Sequence, residues 1–115
     1  MASKVIYAGS TIKVSITFNV DVSTLDNVYV YLYTSEQKPF KFYLGEKTGF
    51  YQAVLLESNK IMCLLTTEMT KYMSGELYYD SLIKDTVSGY EDNGTVKVPL
   101  GINIKNCLSK DAKWK

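Results

Sequence analysis

Residues 11–18 read TIKVSITF, and polar and apolar side chains alternate through this stretch without a break. Side chains along a β-strand point to opposite faces in turn, so a strand with this pattern has one face in the core and one in solvent. Ile12, Val14 and Ile16 are therefore predicted to be buried, and Lys13 and Ser15 to be exposed.

The same two-residue period recurs along the chain, separated by turn-forming residues. Residues 28–33 and 40–44 flank a short segment that ends in Pro39, which is typical of a hairpin. Residues 60–65 are apolar on both faces and are predicted to form a central strand. Pro99 and Gly101 interrupt the last strand, which is therefore expected to be an edge strand or to be bulged. Further strands are predicted over residues 4–7, 51–56, 76–83 and 95–104, and a tight turn at Asn93-Gly94.

A helical spacing occurs once, in residues 67–73. Thr66 or Thr67 can cap a helix, Met69 and Met73 lie on one helical face with Tyr72, and Gly75 ends the pattern. Seven to eight short strands with one short helix predict an all-β protein of the β-sandwich class. We expect the helix to close one end of the sandwich.

The size and composition favour one folded domain. The chain has 115 residues, of which 46% are hydrophobic and 22% charged. These values are ordinary for a globular domain and sufficient for one core. Residues 1–105 are predicted to form this single β-sandwich domain, and residues 106–115 a basic C-terminal tail.

Charge and hydropathy argue against two classes of partner. The formal net charge is +1, and all 13 basic residues are lysines. Without arginine there is no planar fork for guanine or phosphate, so we expect no nucleic-acid partner. No stretch approaches the roughly 20 apolar residues of a membrane span, and the first residues lack the apolar run of a secretion signal. We therefore expect synthesis in the cytoplasm and no membrane association.

The residue types needed for catalysis are scarce. Histidine is absent, which removes the usual general base and the commonest zinc ligand. Cys63 lies in an apolar run, where a thiol is unreactive. The acids between Asp85 and Asn93 lack the spacing of a calcium loop, although they could still gather oxygen ligands. The sequence thus predicts no enzyme, no cofactor and no metal site.

Tyrosines form the feature most open to a functional interpretation. Tyr29, Tyr31, Tyr33 and Tyr43 would share the face opposite the apolar side of their strands. Three interpretations remain open: the face is covered by the protein's own loops or tail, it contacts another protein, or it stacks on sugars. Trp114 in the basic tail is either a disordered remnant or an anchor for a neighbour's pocket.

Three stretches resemble a known family. They are residues 7–11 (YAGST), residues 64–75 (LLTTEMTKYMSG) and residues 77–80 (LYYD). Together they resemble the immunoglobulin-like domain at the N-terminus of phage baseplate upper proteins and related tailed-phage virion proteins. The resemblance implies an immunoglobulin-like β-sandwich and a non-enzymatic role in a virion.

The resemblance also implies partners. In that family the domain usually anchors a longer receptor-binding region, whereas here only a short tail follows residue 105. We therefore expect a capsid-decorating, head–tail or baseplate adaptor, present in multiple copies and bound to other virion structural proteins through Tyr29, Tyr31, Tyr33, Tyr43 and Trp114. The alternative is a carbohydrate-binding module that uses the same tyrosines. A small inhibitor or host-directed regulator is a third, weaker alternative.

Overall fold

The computed structural model describes residues 4–25, 27–35, 38–85 and 90–105. Its elements are eight β-strands and one short helix, so the all-β prediction is confirmed. The strands are β1 (Lys4–Tyr7), β2 (Ile12–Thr17), β3 (Val28–Tyr33), β4 (Phe40–Leu44), β5 (Tyr51–Glu57), β6 (Lys60–Leu65), β7 (Gly75–Asp85) and β8 (Tyr90–Lys105), and the helix is α1 (Thr67–Thr70).

All eight strands belong to one mixed sheet with the order β1-β8-β7-β3-β4-β5-β6-β2. The β1–β8 and β4–β5 pairs are parallel, and the other neighbours are antiparallel. The predicted hairpin of β3 and β4 is confirmed, with Tyr29 opposite Tyr43. The central position predicted for β6 is also confirmed, because it lies between β5 and β2.

The sheet curls around one hydrophobic cluster. Ile12, Val14 and Ile16 of β2 are each 2% exposed, as the alternation in residues 11–18 predicts. They bury into the same cluster as Val30 and Leu32 of β3, although β2 and β3 are far apart in the strand order. A flat sheet could not bring these strands to a common core. The curvature follows from burying the apolar faces of both halves of the sheet together.

The helix is shorter than predicted. It spans only Thr67–Thr70, and Gly75, at a φ of 101°, then turns the chain into β7. Met69 and Met73 are buried as expected, but Tyr72 is 69% exposed and does not help to close the end of the sheet. Thr70 fixes the helix instead: its Oγ1 accepts a hydrogen bond from the Gly9 N–H at 3.0 Å and donates one to the Ser10 carbonyl at 2.6 Å.

The β7–β8 pair corrects one prediction and decides between two alternatives of another. Gly94 is not in a tight turn with Asn93 but pairs with Leu82 inside the ladder. A Cβ at Gly94 would lie 2.4 Å from the Ser81 carbonyl oxygen, so glycine serves here to let two backbones approach closely. Strand β8 is not an edge strand over its last residues, where β1 pairs with it. The alternative prediction, a bulged strand, is confirmed by the register shifts between β7 and β8.

Candidate functional site

The predicted tyrosines lie together on the outer surface of β3, β4 and β7. In the register of these strands Tyr29 pairs with Tyr43 and Leu82, Tyr31 with Lys41 and Asp80, and Tyr33 with Tyr78. Because directly paired residues project to the same side of a sheet, these side chains form one surface. We call Tyr29, Tyr31, Tyr33, Tyr43 and Tyr78 the tyrosine face. The four predicted members are brought together as expected, and Trp114 lies outside the described residues.

At one end of the tyrosine face, three rings form a cluster. The centroids of Tyr29 and Tyr43 are 5.2 Å apart, and Phe50 lies 5.5 Å from Tyr29 and 6.1 Å from Tyr43. These separations are within the range of favourable aromatic pairs. Phe50 comes from the segment that joins β4 to β5, so the protein's own loop covers part of this end. Nothing in the local sequence pattern indicated that Phe50 would reach the tyrosines.

At the other end of the tyrosine face, the Asp80 carboxylate of β7 accepts hydrogen bonds from both β3 and β8. The Tyr33 hydroxyl donates to Asp80 Oδ1 at 2.8 Å, and the backbone N–H of Lys97 donates to the same oxygen at 2.7 Å. Desolvation, followed by the hydrogen bond to Asp80 and the negative charge of that carboxylate, raises the pKa of Tyr33 to about 12, while the Lys97 backbone N–H acts in the opposite direction. Tyr33 is therefore a neutral donor at physiological pH, and its hydroxyl is committed within the protein.

Tyr31 occupies the centre of the face, with Lys41 paired to it on one side and Asp80 on the other. The Tyr43 hydroxyl donates to Asn27 Oδ1 at 2.9 Å, whereas within the part of the chain that the structure describes the Tyr31 hydroxyl has no hydrogen-bond partner. Partial burial raises the pKa of Tyr31, with smaller contributions from Tyr29 and Asp80. A half-buried ring with a hydroxyl that is uncommitted among the described residues is well suited to contact a partner.

Three lysines stand over the rings of this surface. The Lys47 Nζ lies 5.4 Å from the Tyr43 centroid and 5.9 Å from that of Tyr29. The Lys41 Nζ lies 5.3 Å from Phe50, and the Lys97 Nζ lies 5.4 Å from Tyr78. These distances are typical of cation–π contacts. Sequence reasoning did not assign these lysines to the site: Lys41 shares the alternation of Tyr43, but Lys47 lies in the loop after β4 and Lys97 lies far along the chain in β8.

A shallow groove of about 330 Å³ opens beside Tyr31. Its wall combines an aromatic ring with polar groups and a few aliphatic side chains. It is lined by Tyr31, Asp80, Ser81, Leu82, Gly94, Thr95 and Val96.

A second exposed apolar surface lies on β5. Val54, Leu55 and Leu56 are 47%, 41% and 48% exposed. Strand β4 pairs with β5 only as far as Ala53, so the following residues form an open edge among the described strands. A register shift between Leu55 and Glu57 marks a bulge in this edge. Bulges of this kind discourage pairing with another chain.

The described residues offer little for covalent or metal chemistry. Cys63 is fully buried, and this burial raises the pKa of its thiol to about 12. Its thiol is therefore protonated and inert at neutral pH. No group of three or more acidic, cysteine or histidine side chains suitable for a metal occurs in the described ranges. Nor does any described helix have the length and apolarity needed to cross a membrane.

No family model, no curated protein and no solved structure matches this chain.

Proposed function

We propose that this protein is a non-enzymatic, immunoglobulin-like structural component of a tailed-phage virion that binds other virion proteins through its tyrosine face. The observation that carries the proposal is the position of Tyr31: a half-buried ring on β3 between Lys41 and Asp80, with a hydroxyl that has no hydrogen-bond partner among the described residues. Tyrosine is enriched in protein interfaces because it supplies contact area at a low entropic cost.

The strand order supports an immunoglobulin-like arrangement. Such sandwiches place strands A, B, E and D in one sheet and strands G, F and C in the other, which strand C′ extends in variable-type domains. Here β5, β6 and β2 are consecutive in the order, as are β8, β7, β3 and β4, which corresponds to strands D-E-B and G-F-C-C′ of a variable-type domain. The departure is the parallel β4–β5 pairing of three residues, which joins the two halves into one sheet.

The virion setting rests on the resemblance of residues 7–11, 64–75 and 77–80. Two of these stretches touch in the fold, because Thr70 is hydrogen-bonded to Gly9 and Ser10. Asp80, in the third stretch, organises the tyrosine face. The residues that carry the resemblance thus hold the helix to the first turn and shape the surface that we propose for binding.

Co-assembly with the products of neighbouring genes tests this proposal. The full chain is mixed with those proteins, and the mixture is analysed by size-exclusion chromatography with light scattering. We expect the wild type to enter a large assembly. Tyr31→Ala is expected to reduce the incorporated fraction about tenfold, as for a central aromatic contact, and combination with Trp114→Ala to reduce it further.

Tyr72→Ala is the matched control, since Tyr72 is strongly exposed and lies after α1, away from the tyrosine face. Incorporation of this variant should equal that of the wild type, and all variants should melt at nearly the same temperature. Equal incorporation of Tyr31→Ala and wild type would remove the tyrosine face from the proposal. A protein that enters no assembly would contradict the virion role.

The groove beside Tyr31 favours one alternative function, a carbohydrate-binding module. A ring flanked by Asp80, Ser81 and Thr95 provides a stacking surface with hydroxyl and carboxylate partners for a sugar. Screening against a glycan array with and without calcium separates the two functions. Saturable glycan binding that is lost in Tyr31→Ala would favour the carbohydrate module.

A further inference from the structure

The tyrosine face carries three lysine ammonium groups that form no ion pair within the part of the chain that the structure describes. Lys41, Lys47 and Lys97 all place their ammonium groups over aromatic rings of this surface. The two ion pairs among the described side chains lie elsewhere, between Lys60 and Glu57 and between Lys71 and Glu68. The three lysines of the face therefore have no carboxylate within ion-pair distance among the described residues.

The carboxylates near this surface form no ion pair with the three lysines among the described residues. Asp80 Oδ1 already accepts hydrogen bonds from the Tyr33 hydroxyl and the Lys97 backbone N–H. Glu46 is exposed beside Lys47 but forms no ion pair with it. Glu76, which follows the same alternation as Tyr78 in β7, has interactions of its own. With three ammonium groups and a single carboxylate, that of Asp80, within the face, this surface has an excess of positive charge among the described residues.

The backbone of β8 is bent in a way that brings Lys97 to the face. Between its pairings with Tyr79 and Ser81, β8 contains one more residue than β7. Lys97 lies in this bulge with a φ of 50°, a conformation that costs a non-glycine residue roughly 1 kcal/mol. The Asp80 carboxylate holds it there through the backbone N–H. Bulges re-aim side chains, and this one directs the Lys97 ammonium over Tyr78.

We infer that the tyrosine face binds an acidic protein surface, with partner carboxylates pairing with Lys41, Lys47 and Lys97 around a contact centred on Tyr31. This inference rests on the proposed function and specifies the partner's chemistry. Complementary charge at the rim of an interface guides association and selects the partner, while the aromatic centre supplies buried area. A protein partner fits better than nucleic acid, because the face holds lysines and no arginine fork.

An NMR titration of the full-length protein tests the inference with an oligoglutamate peptide as the probe. We expect saturable shifts of the backbone amides of β3, β4 and β8, and no saturable shifts with an oligolysine peptide. The triple variant Lys41→Gln, Lys47→Gln, Lys97→Gln should bind the oligoglutamate about tenfold more weakly, the sum of three exposed ion pairs. Higher ionic strength should weaken the wild-type interaction as well.

The control variant carries Lys13→Gln, Lys60→Gln and Lys71→Gln, which remove the same charge from β2, β6 and the end of α1. Wild-type affinity in this control supports the inference, whereas an equal loss in both triple variants would show that only net charge matters and overturn it. Absence of a saturable shift with oligoglutamate would overturn it too. So would binding of an oligo-dT strand or heparin at the face without binding of oligoglutamate.

The outcome is separable from that of the co-assembly experiment. If the protein enters an assembly through Tyr31 but does not bind oligoglutamate, the proposed function stands and the inference of an acidic partner is wrong. If the protein binds oligoglutamate at the tyrosine face but enters no assembly, the preference for acidic partners stands and the proposed virion role is wrong.

Discussion

At the scale of single residues, hydrogen bonding of buried hydroxyl groups affects the stability of this small core. Two buried threonines, Thr34 and Thr70, differ sharply in this respect. Thr70 Oγ1 serves both Gly9 and Ser10, whereas Thr34 Oγ1 is buried and has no hydrogen-bond partner among the described residues. An unsatisfied buried hydroxyl costs about 1–3 kcal/mol, so the same substitution should have opposite effects at the two positions.

Thr34→Val is expected to raise the free energy of unfolding by about 1 kcal/mol, because it replaces an unpaired hydroxyl with a methyl group of similar size. Thr70→Val should lower it by about 1–3 kcal/mol, since the Gly9 N–H loses its acceptor. Urea denaturation of both variants measures the two changes. A loss of stability in Thr34→Val as large as that in Thr70→Val would show that the Thr34 hydroxyl has a partner.

At the scale of elements, the long β7–β8 hairpin determines the geometry of the tyrosine face. It supplies Tyr78 and Asp80 from one strand and Lys97 from the other. The bulges of this hairpin and the close approach of the two backbones at Gly94 set the register between β7 and β8. A disturbance of the pairing at Gly94 should therefore reach the neighbouring groove residues Ser81 and Leu82.

Gly94→Ala is expected to destabilise the protein by about 1–3 kcal/mol, because its Cβ would collide with the Ser81 carbonyl and force the backbones apart. Amide hydrogen exchange should accelerate in β7 and β8 before it does in β2 and β6. Val96→Ala, at a strongly exposed position two residues away, should change stability by less than about 0.5 kcal/mol. Unchanged exchange rates in Gly94→Ala would show that the strands do not approach as closely as described.

On the scale of the whole molecule, several protonated groups make the fold sensitive to alkali. The pKa of Tyr33 is raised from 10.0 to about 12 by desolvation and by Asp80, and burial raises the pKa of Cys63 from 9.0 to about 12. Burial also raises the pKa of Tyr79. In each case the folded protein retains a proton that the unfolded chain has already lost, which lowers stability as pH rises.

Stability is therefore expected to be fully present below about pH 9 and to fall as pH approaches about 12. Unfolding by urea at a series of pH values across this window measures the decline. The Tyr33→Phe, Cys63→Ala double variant should show a shallower decline, because two of the responsible protons are gone. A wild-type stability that stays constant through the window would contradict the assigned pKa directions.

Most strands were predictable because their signal is local. The alternation of apolar side chains in β2 and β3 results from the two-residue period of a strand, and burying one face requires it regardless of which strand lies alongside. The shared face of Tyr29, Tyr31 and Tyr33 follows from the same period. The predicted helix was too long because the helical spacing of Met69, Tyr72 and Met73 continues past Thr70. The observed helix ends at Thr70, since the chain must turn at Gly75 to pair β7 with β3.

What the sequence determined by itself is thus the all-β class, the approximate strand positions and the face on which the tyrosines lie. The tertiary structure alone decided the curled strand order, the placement of Gly94 inside a ladder and the arrival of Phe50, Lys47 and Lys97 at the tyrosine face. The strand order, the Gly94 pairing and the position of Lys97 depend on contacts between segments far apart in the chain, and the path of the β4–β5 loop places Lys47 and Phe50. Pairing of distant strands is chosen by burial of the whole apolar surface and by backbone hydrogen bonding, for which no short stretch of residues carries the signal.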